Sequence, residues 1–95
     1  MLFIIYCLDK PGAAETRSAN MQAHKDYLAT GPIKVLISGP LTTDDGQGVI
    51  GSFLMVDAVD RGQVEKFQRN DPLLKSGIWA STDVRAFTKR VDNRG

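Results

Sequence analysis

Apolar residues fall in four short runs separated by two longer mixed stretches. The first run, Leu2-Phe3-Ile4-Ile5-Tyr6-Cys7-Leu8, is filled with β-branched and aromatic side chains and closed by Asp9-Lys10-Pro11-Gly12, which predicts a strand. Residues 14–29 contain neither Pro nor Gly and are rich in helix formers, and Gly31-Pro32 supplies a stop signal. The second run, Ile33 to Ser38, predicts a strand centred on Val35-Leu36-Ile37 and broken by Gly39-Pro40. Residues 41–48 are polar and contain glycine, as a loop does, and Val49 to Val56 predicts a third strand. Asp60 is placed to cap a helix of about ten residues, with Gln63 three positions on as an approximate capping box. Val64 and Phe67 share one face of that helix, and Asp71-Pro72 ends or kinks it. A short turn from Leu73 to Gly77 then leads into a last strand over Ile78 to Thr88.

The resulting order, β-α-β-β-α-β, is the ferredoxin-like α+β arrangement, an antiparallel four-stranded sheet with two helices on one face. The strands are apolar at successive positions instead of alternating, which implies that both faces of the sheet are covered. A chain of 95 residues has a thin core and gains much by pairing its bare face with a second copy, so a homodimer is expected. Residues 1–90 read as one domain, and the polar tail from Val91 to Gly95 is expected to fray.

Composition narrows the function classes. Twelve Lys+Arg against eleven Asp+Glu give a net charge of +1, and the basic residues are scattered apart from Lys89, Arg90 and Arg94. This balance speaks against a nucleic-acid partner, which calls for a concentrated basic stripe. The lone cysteine, Cys7, excludes an intrachain disulfide framework and a multi-cysteine zinc site. With one His and one Cys, no protein-only transition-metal site is expected. No apolar run approaches the roughly 20 residues that cross a bilayer, so no membrane partner is expected. The first run has neither a basic flank nor a small-residue cleavage site, so it reads as a strand and not a signal peptide; a cytoplasmic location is expected.

The single histidine can be placed by helical spacing. Arg17, Met21, His24 and Leu28 lie on one stripe of the first helix. Met21 and Leu28 belong against the sheet, so His24 and Arg17 point inward as well, whereas Lys25 and Asp26 fall on the outer side. A buried imidazole needs hydrogen-bond partners, and either a structural bond to a carbonyl or a chemical role satisfies that need. Asp71 lies four residues beyond Phe67 and seven beyond Val64, on the inward stripe of the second helix, where an unpaired carboxylate is costly. Asp-Pro is also a common turn former. Since both helices cover the same face, His24 and Asp71 can meet there, as in a general base oriented by a carboxylate. Ser38-Gly39-Pro40 ends the second strand nearby, either as a strand terminator or as a place where backbone and hydroxyl approach a ligand. Cys7 reads as a small core residue.

These residues resemble the YCII-related (YciI-like) family over nearly the whole chain. The resemblance runs through the Leu2-to-Tyr6 strand, Asp9, Arg17 and His24, then Ser38-Gly39-Pro40, Gly51-Ser52, Asp71-Pro72, Gly77 and Phe87. Its most specific part is the ordered series His24, Gly39-Pro40, Asp71-Pro72. Met21 stands where members often carry arginine, Leu73 where an aromatic residue often follows Asp-Pro, and the loop between the second and third strands is shorter than in many relatives. The resemblance implies a dimeric α+β barrel and puts the family's His–Asp pair on His24 and Asp71.

Family chemistry implies a cofactor-free enzyme moving protons on a small cyclic molecule. One form is dehydrochlorination of a chlorinated hydroxyhydroquinone in aromatic degradation, and another is isomerisation of the muconolactone type. His24 and Asp71 would be catalytic, and Arg17, Ser38, Gly39 and Pro40 would bind substrate. The alternative is a non-catalytic dimeric binding or accessory module in which the His–Asp pair is structural.

Overall fold

In a computed structural model the described residues are 1–94. The chain runs β1 (Leu2–Asp9), α1 (Ala14–Ala29), β2 (Lys34–Thr42), β3 (Val49–Asp57), α2 (Arg61–Arg69), α3 (Pro72–Lys75) and β4 (Trp79–Phe87). The strands form one antiparallel sheet in the order β2-β3-β1-β4. This is the ferredoxin-like arrangement with one short helix added.

Cross-strand register decides which side chains share a face. Phe3, Ile5 and Cys7 of β1 stand opposite Val56, Leu54 and Ser52 of β3, and Ile5 also opposes Val84 of β4. All of these are buried, and Val64, Phe67 and Leu73 from the helical side complete the core. The alternate positions, Ile4, Tyr6, Phe53 and Met55, lie on the other face, where Tyr6 is 38% exposed. The successive apolar positions therefore do serve two faces, but within one chain only the first is covered.

Helix α2 starts as its sequence predicts. The Asp60 carboxylate accepts the Gln63 amide hydrogen at 2.9 Å, while Gln63 Oε1 accepts from Val59 N at 2.7 Å, one residue earlier than a strict capping box. Helix α1 ends before Gly31, whose φ of +67° needs a residue without a Cβ penalty.

Three local expectations need correction. Strand β2 is not broken at Gly39-Pro40: Gly39 pairs with Phe53 and Pro40 with Ser52, and the strand continues to Thr42. Because β2 is an edge strand, it has ladder bonds on one side only, and such a strand tolerates the missing proline N–H. Asp71 does not lie on α2, which closes at Arg69 with Asn70 as its C-cap. The presumed turn after it is the helix α3, with Asp71 as N-cap and Pro72 in its first turn. Residues 88–94 beyond β4 lack regular structure, with Asp92 gathering Lys89 and Arg94 around it, and Gly95 of the expected tail lies outside the described residues. No helix among the described residues is long and apolar enough to cross a membrane.

Candidate active site

Helix α1 buries two residues, and both are polar: Arg17 and His24. Its apolar contribution comes from half-buried Met21, Tyr27 and Leu28, with the Tyr27 ring stacked on Phe67 at 5.3 Å and its hydroxyl donating to Phe67 O. The helix is thereby fixed over the sheet while its two polar side chains enter the seam.

His24 meets Asp71 there. The imidazole Nδ1 lies 2.8 Å from Asp71 Oδ1, and the same oxygen accepts the Leu73 amide hydrogen at 2.9 Å. An oxygen that accepts from an amide acts as an acceptor toward the imidazole too, so Nδ1 carries the hydrogen of this bond. In the neutral ring Nε2 then holds the free lone pair. Asp71 is 1% exposed and His24 7%. The N-capping bond and the backbone bonds of Asp71 N to Gln68 O and of Lys75 N to Asp71 O hold the carboxylate in one orientation.

A second polar group lies further along α1. Arg17 Nε and Nη2 each donate to one Asp9 oxygen at 2.8 Å, a bidentate fork, and Nη2 also donates to Ser52 Oγ at 2.8 Å. Both partners of this ion pair are largely buried. Nη1 donates to nothing among the described residues.

Between α1 and strands β2 and β3 lies an open cavity of about 240 Å³. Helix α1 supplies Arg17, His24 and Lys25 to it, β2 supplies Ser38 with the backbone of Gly39 and Pro40, and β3 supplies Ser52. Met21, Leu28 and Leu54 form its apolar wall. The volume falls below the roughly 300–1,000 Å³ common for drug-sized ligands and suits a single substituted ring. Arg17, His24, Ser38, Gly39 and Pro40 thus share one cavity, and Asp71 stands behind His24 without lining it.

Asp9 and Ser52 complete the site without having been assigned to it from sequence. The signals for Asp9 were its place in the family resemblance and the need of Arg17, eight residues on and facing inward, for a counter-ion. Ser52 gave no local signal, since it joins Arg17 across 35 positions, and only the Gly51-Ser52 part of the family resemblance pointed to it. Lys25, expected on the outer side, stands at the cavity mouth. Cys7 is fully buried, and burial pushes its thiol up to about 11, so it is a core residue and not a nucleophile. Among the described residues no three His, Cys, Asp or Glu side chains gather as metal donors.

Residues 1–88 match the family described as YCII-related domain. Among solved structures, 5-chloro-2-hydroxyhydroquinone dehydrochlorinase (TftG) from Burkholderia phenoliruptrix AC1100, in complex with 2,5-dihydroxybenzoquinone, is similar at 37% identity and a TM-score of 0.83. The similarity covers 93% of this chain and 94% of that one. SnoaB, a cofactor-independent oxygenase from Streptomyces nogalater, is 13% identical with a TM-score of 0.58, covering 99% of this chain and 96% of that one. PA3566 from Pseudomonas aeruginosa is 12% identical with a TM-score of 0.57, covering 95% and 93%. The latter two share the fold alone. No curated protein sequence matches.

Proposed function

The chain belongs to the YCII-related family, and from that premise we propose that it is a lyase of the dehydrochlorinase type. In this reading it removes HCl from a chlorinated hydroxyhydroquinone, with His24 as general base and Asp71 as its orienting partner. The observation that carries the reading is the His24–Asp71 bond of 2.8 Å, which turns Nε2 toward a cavity sized for one ring. The 37% identity to a dehydrochlorinase over nearly the full length supports elimination ahead of lactone isomerisation.

The chemistry balances without an added oxidant or reductant. His24 Nε2 takes the proton of the hydroxyl ortho to the chlorine-bearing carbon. As that oxygen becomes a ketone, the ring carbon bearing chlorine accepts the proton and becomes tetrahedral. A second hydroxyl, conjugated to that carbon through one ring double bond, then gives its proton to Nε2 while its electrons expel chloride. One carbon–hydrogen bond has formed, one carbon–chlorine bond has broken, and two hydroxyl hydrogens have left oxygen. The products are a hydroxyquinone, chloride and a proton. Arg17 Nη1, Ser38 and Ser52 are the donors available where negative charge develops on substrate oxygen.

This reading includes a homodimer in which the uncovered sheet faces of two copies meet as an α+β barrel. The test is chloride release from a chlorinated hydroxyhydroquinone, measured with wild type and His24→Ala alongside thermal melting. Wild-type turnover that falls by about a hundredfold or more in a folded variant is the expected result. Equal turnover in both proteins removes His24 from the chemistry, and no chloride release by wild type overturns the lyase reading.

A further inference from the structure

Ser52 holds an unspent donor. It stands on β3 between Cys7 of β1 and Pro40 of β2, and it lines the cavity although only 4% exposed. Its Oγ accepts from Arg17 Nη2 at 2.8 Å, and its own hydrogen reaches no acceptor among the described residues. That hydrogen must point away from Arg17, and the cavity is where an acceptor can meet it. Arg17 in turn cannot swing, because Nε and Nη2 grip both oxygens of the buried Asp9 carboxylate at 2.8 Å. Donation from a cation into Oγ also polarises the O–H bond and makes it a stronger donor. Ser38, the other hydroxyl of the lining, is exposed on an edge strand, with no side-chain bond among the described residues to fix it.

We propose that Ser52 is the catalytic donor to a ring oxygen as that oxygen loses its hydrogen, and that Arg17 is a positioning residue acting through Ser52. The inference deepens the lyase reading and rests on it. In that reaction a ring oxygen passes from hydroxyl to carbonyl, and it accepts a hydrogen bond more strongly once its own hydrogen is leaving. A donor already held in place for it favours the transition state over the bound substrate, which lowers the barrier. Ser52 keeps its hydrogen throughout, so the proton balance through His24 is unchanged. The base enters the cavity from α1 and the donor from β3, so the ring is met from two sides. Because Asp9 balances the Arg17 charge, the site offers a neutral ring a polarised hydroxyl in place of a bare cation.

The test is a double-mutant cycle of Ser52→Ala and Arg17→Lys. Lysine keeps the charge that Asp9 needs but lacks the planar fork that fixes the bond to Ser52. Two quantities are read: chloride release from a chlorinated hydroxyhydroquinone, and calorimetric affinity for 2,5-dihydroxybenzoquinone, whose ring oxygens are acceptors. Ser52→Ala is expected to lower kcat about a hundredfold with KM changed less than about threefold, and to weaken the quinone about tenfold. Arg17→Lys should lower kcat and quinone affinity in the same direction by a smaller factor. In the Ser52→Ala background it should change neither by more than about twofold, because its effect passes through the missing hydroxyl. A Ser52→Ala enzyme with near-normal kcat, or one impaired in KM alone, overturns the proposal. Losses that multiply in the double variant overturn it as well, since Arg17 would then act on the ring directly. If Arg17→Lys does not fold, Ser52→Ala alone decides by its split between kcat and KM. If wild type releases no chloride, the lyase reading falls and the quinone cycle decides: coupled losses keep Ser52 as the donor and Arg17 as its holder, and independent losses or none overturn those roles. A wild type that neither releases chloride nor binds the quinone overturns both.

Discussion

Asp71 carries two tasks on one oxygen, and they can be separated by substitution. Its Oδ1 caps α3 through Leu73 N and holds the His24 ring. Asp71→Asn keeps an acceptor oxygen and a good capping residue, so the fold should lose less than about 1 kcal/mol. It removes the negative charge that would stabilise imidazolium, and turnover should fall by about a hundredfold. Asp71→Ala removes the cap and leaves the buried Nδ1 donor unpaired, which together should cost about 2–4 kcal/mol in denaturant unfolding. Native-like turnover in a stable Asp71→Asn protein would mark the pair as structural. At this scale the sequence was most legible along α1, where helical spacing alone puts Arg17 and His24 on the inward stripe. It was least legible for Asp9 and Ser52, because nothing local requires an arginine to bridge a strand end and a residue on the neighbouring strand.

Strand β2 shows where element-scale reading meets its limit. Gly39-Pro40 is a sound breaker in an isolated segment, yet whether it breaks a strand depends on which neighbours the strand has. That is a property of topology, fixed only once β3, β1 and β4 have assembled beyond it. The same holds for Asp71-Pro72, which closes nothing and opens α3. Helix α1, by contrast, spans the residues its pattern predicts, because its boundaries are set by the local absence and then presence of Gly and Pro. Close approach of β1 and β3 imposes a further constraint at Gly51. A Cβ built there would lie 2.0 Å from the Cys7 carbonyl oxygen and 3.2 Å from Leu41 Cδ1. Backbone cannot yield as a side-chain tip can, so Gly51→Ala should cost at least about 1–3 kcal/mol. For a chain this size that is a fall in Tm of roughly 5–20 °C. An unshifted melting curve would mean that the two strands are not held at this separation.

For the whole molecule the open question of assembly turns on the sheet face that no helix covers. Met55 sits near its centre, opposite Ile4 on one side and Ile37 on the other, with Tyr6 and Phe53 one step along. Tyr6 and Phe87 are each more than a third exposed in the single chain. Contiguous apolar surface of this kind is uncommon on a monomer and is removed from water when two such faces meet. Met55→Glu puts a charge into that proposed contact without touching the residues that face the helices. Burying an unpaired carboxylate costs several kcal/mol, so the dimer should weaken by more than about a hundredfold while the far-ultraviolet spectrum of the chain is kept. Sedimentation should then give twice the 10.4 kDa chain mass for wild type and the single-chain mass for the variant at the same concentration. A wild-type monomer, or a variant that remains a dimer, would rule out pairing through this face. Because the cavity is built from one chain's α1, β2 and β3, a folded monomeric Met55→Glu protein should still bind 2,5-dihydroxybenzoquinone. Loss of binding together with the dimer would instead show that the second copy completes the site.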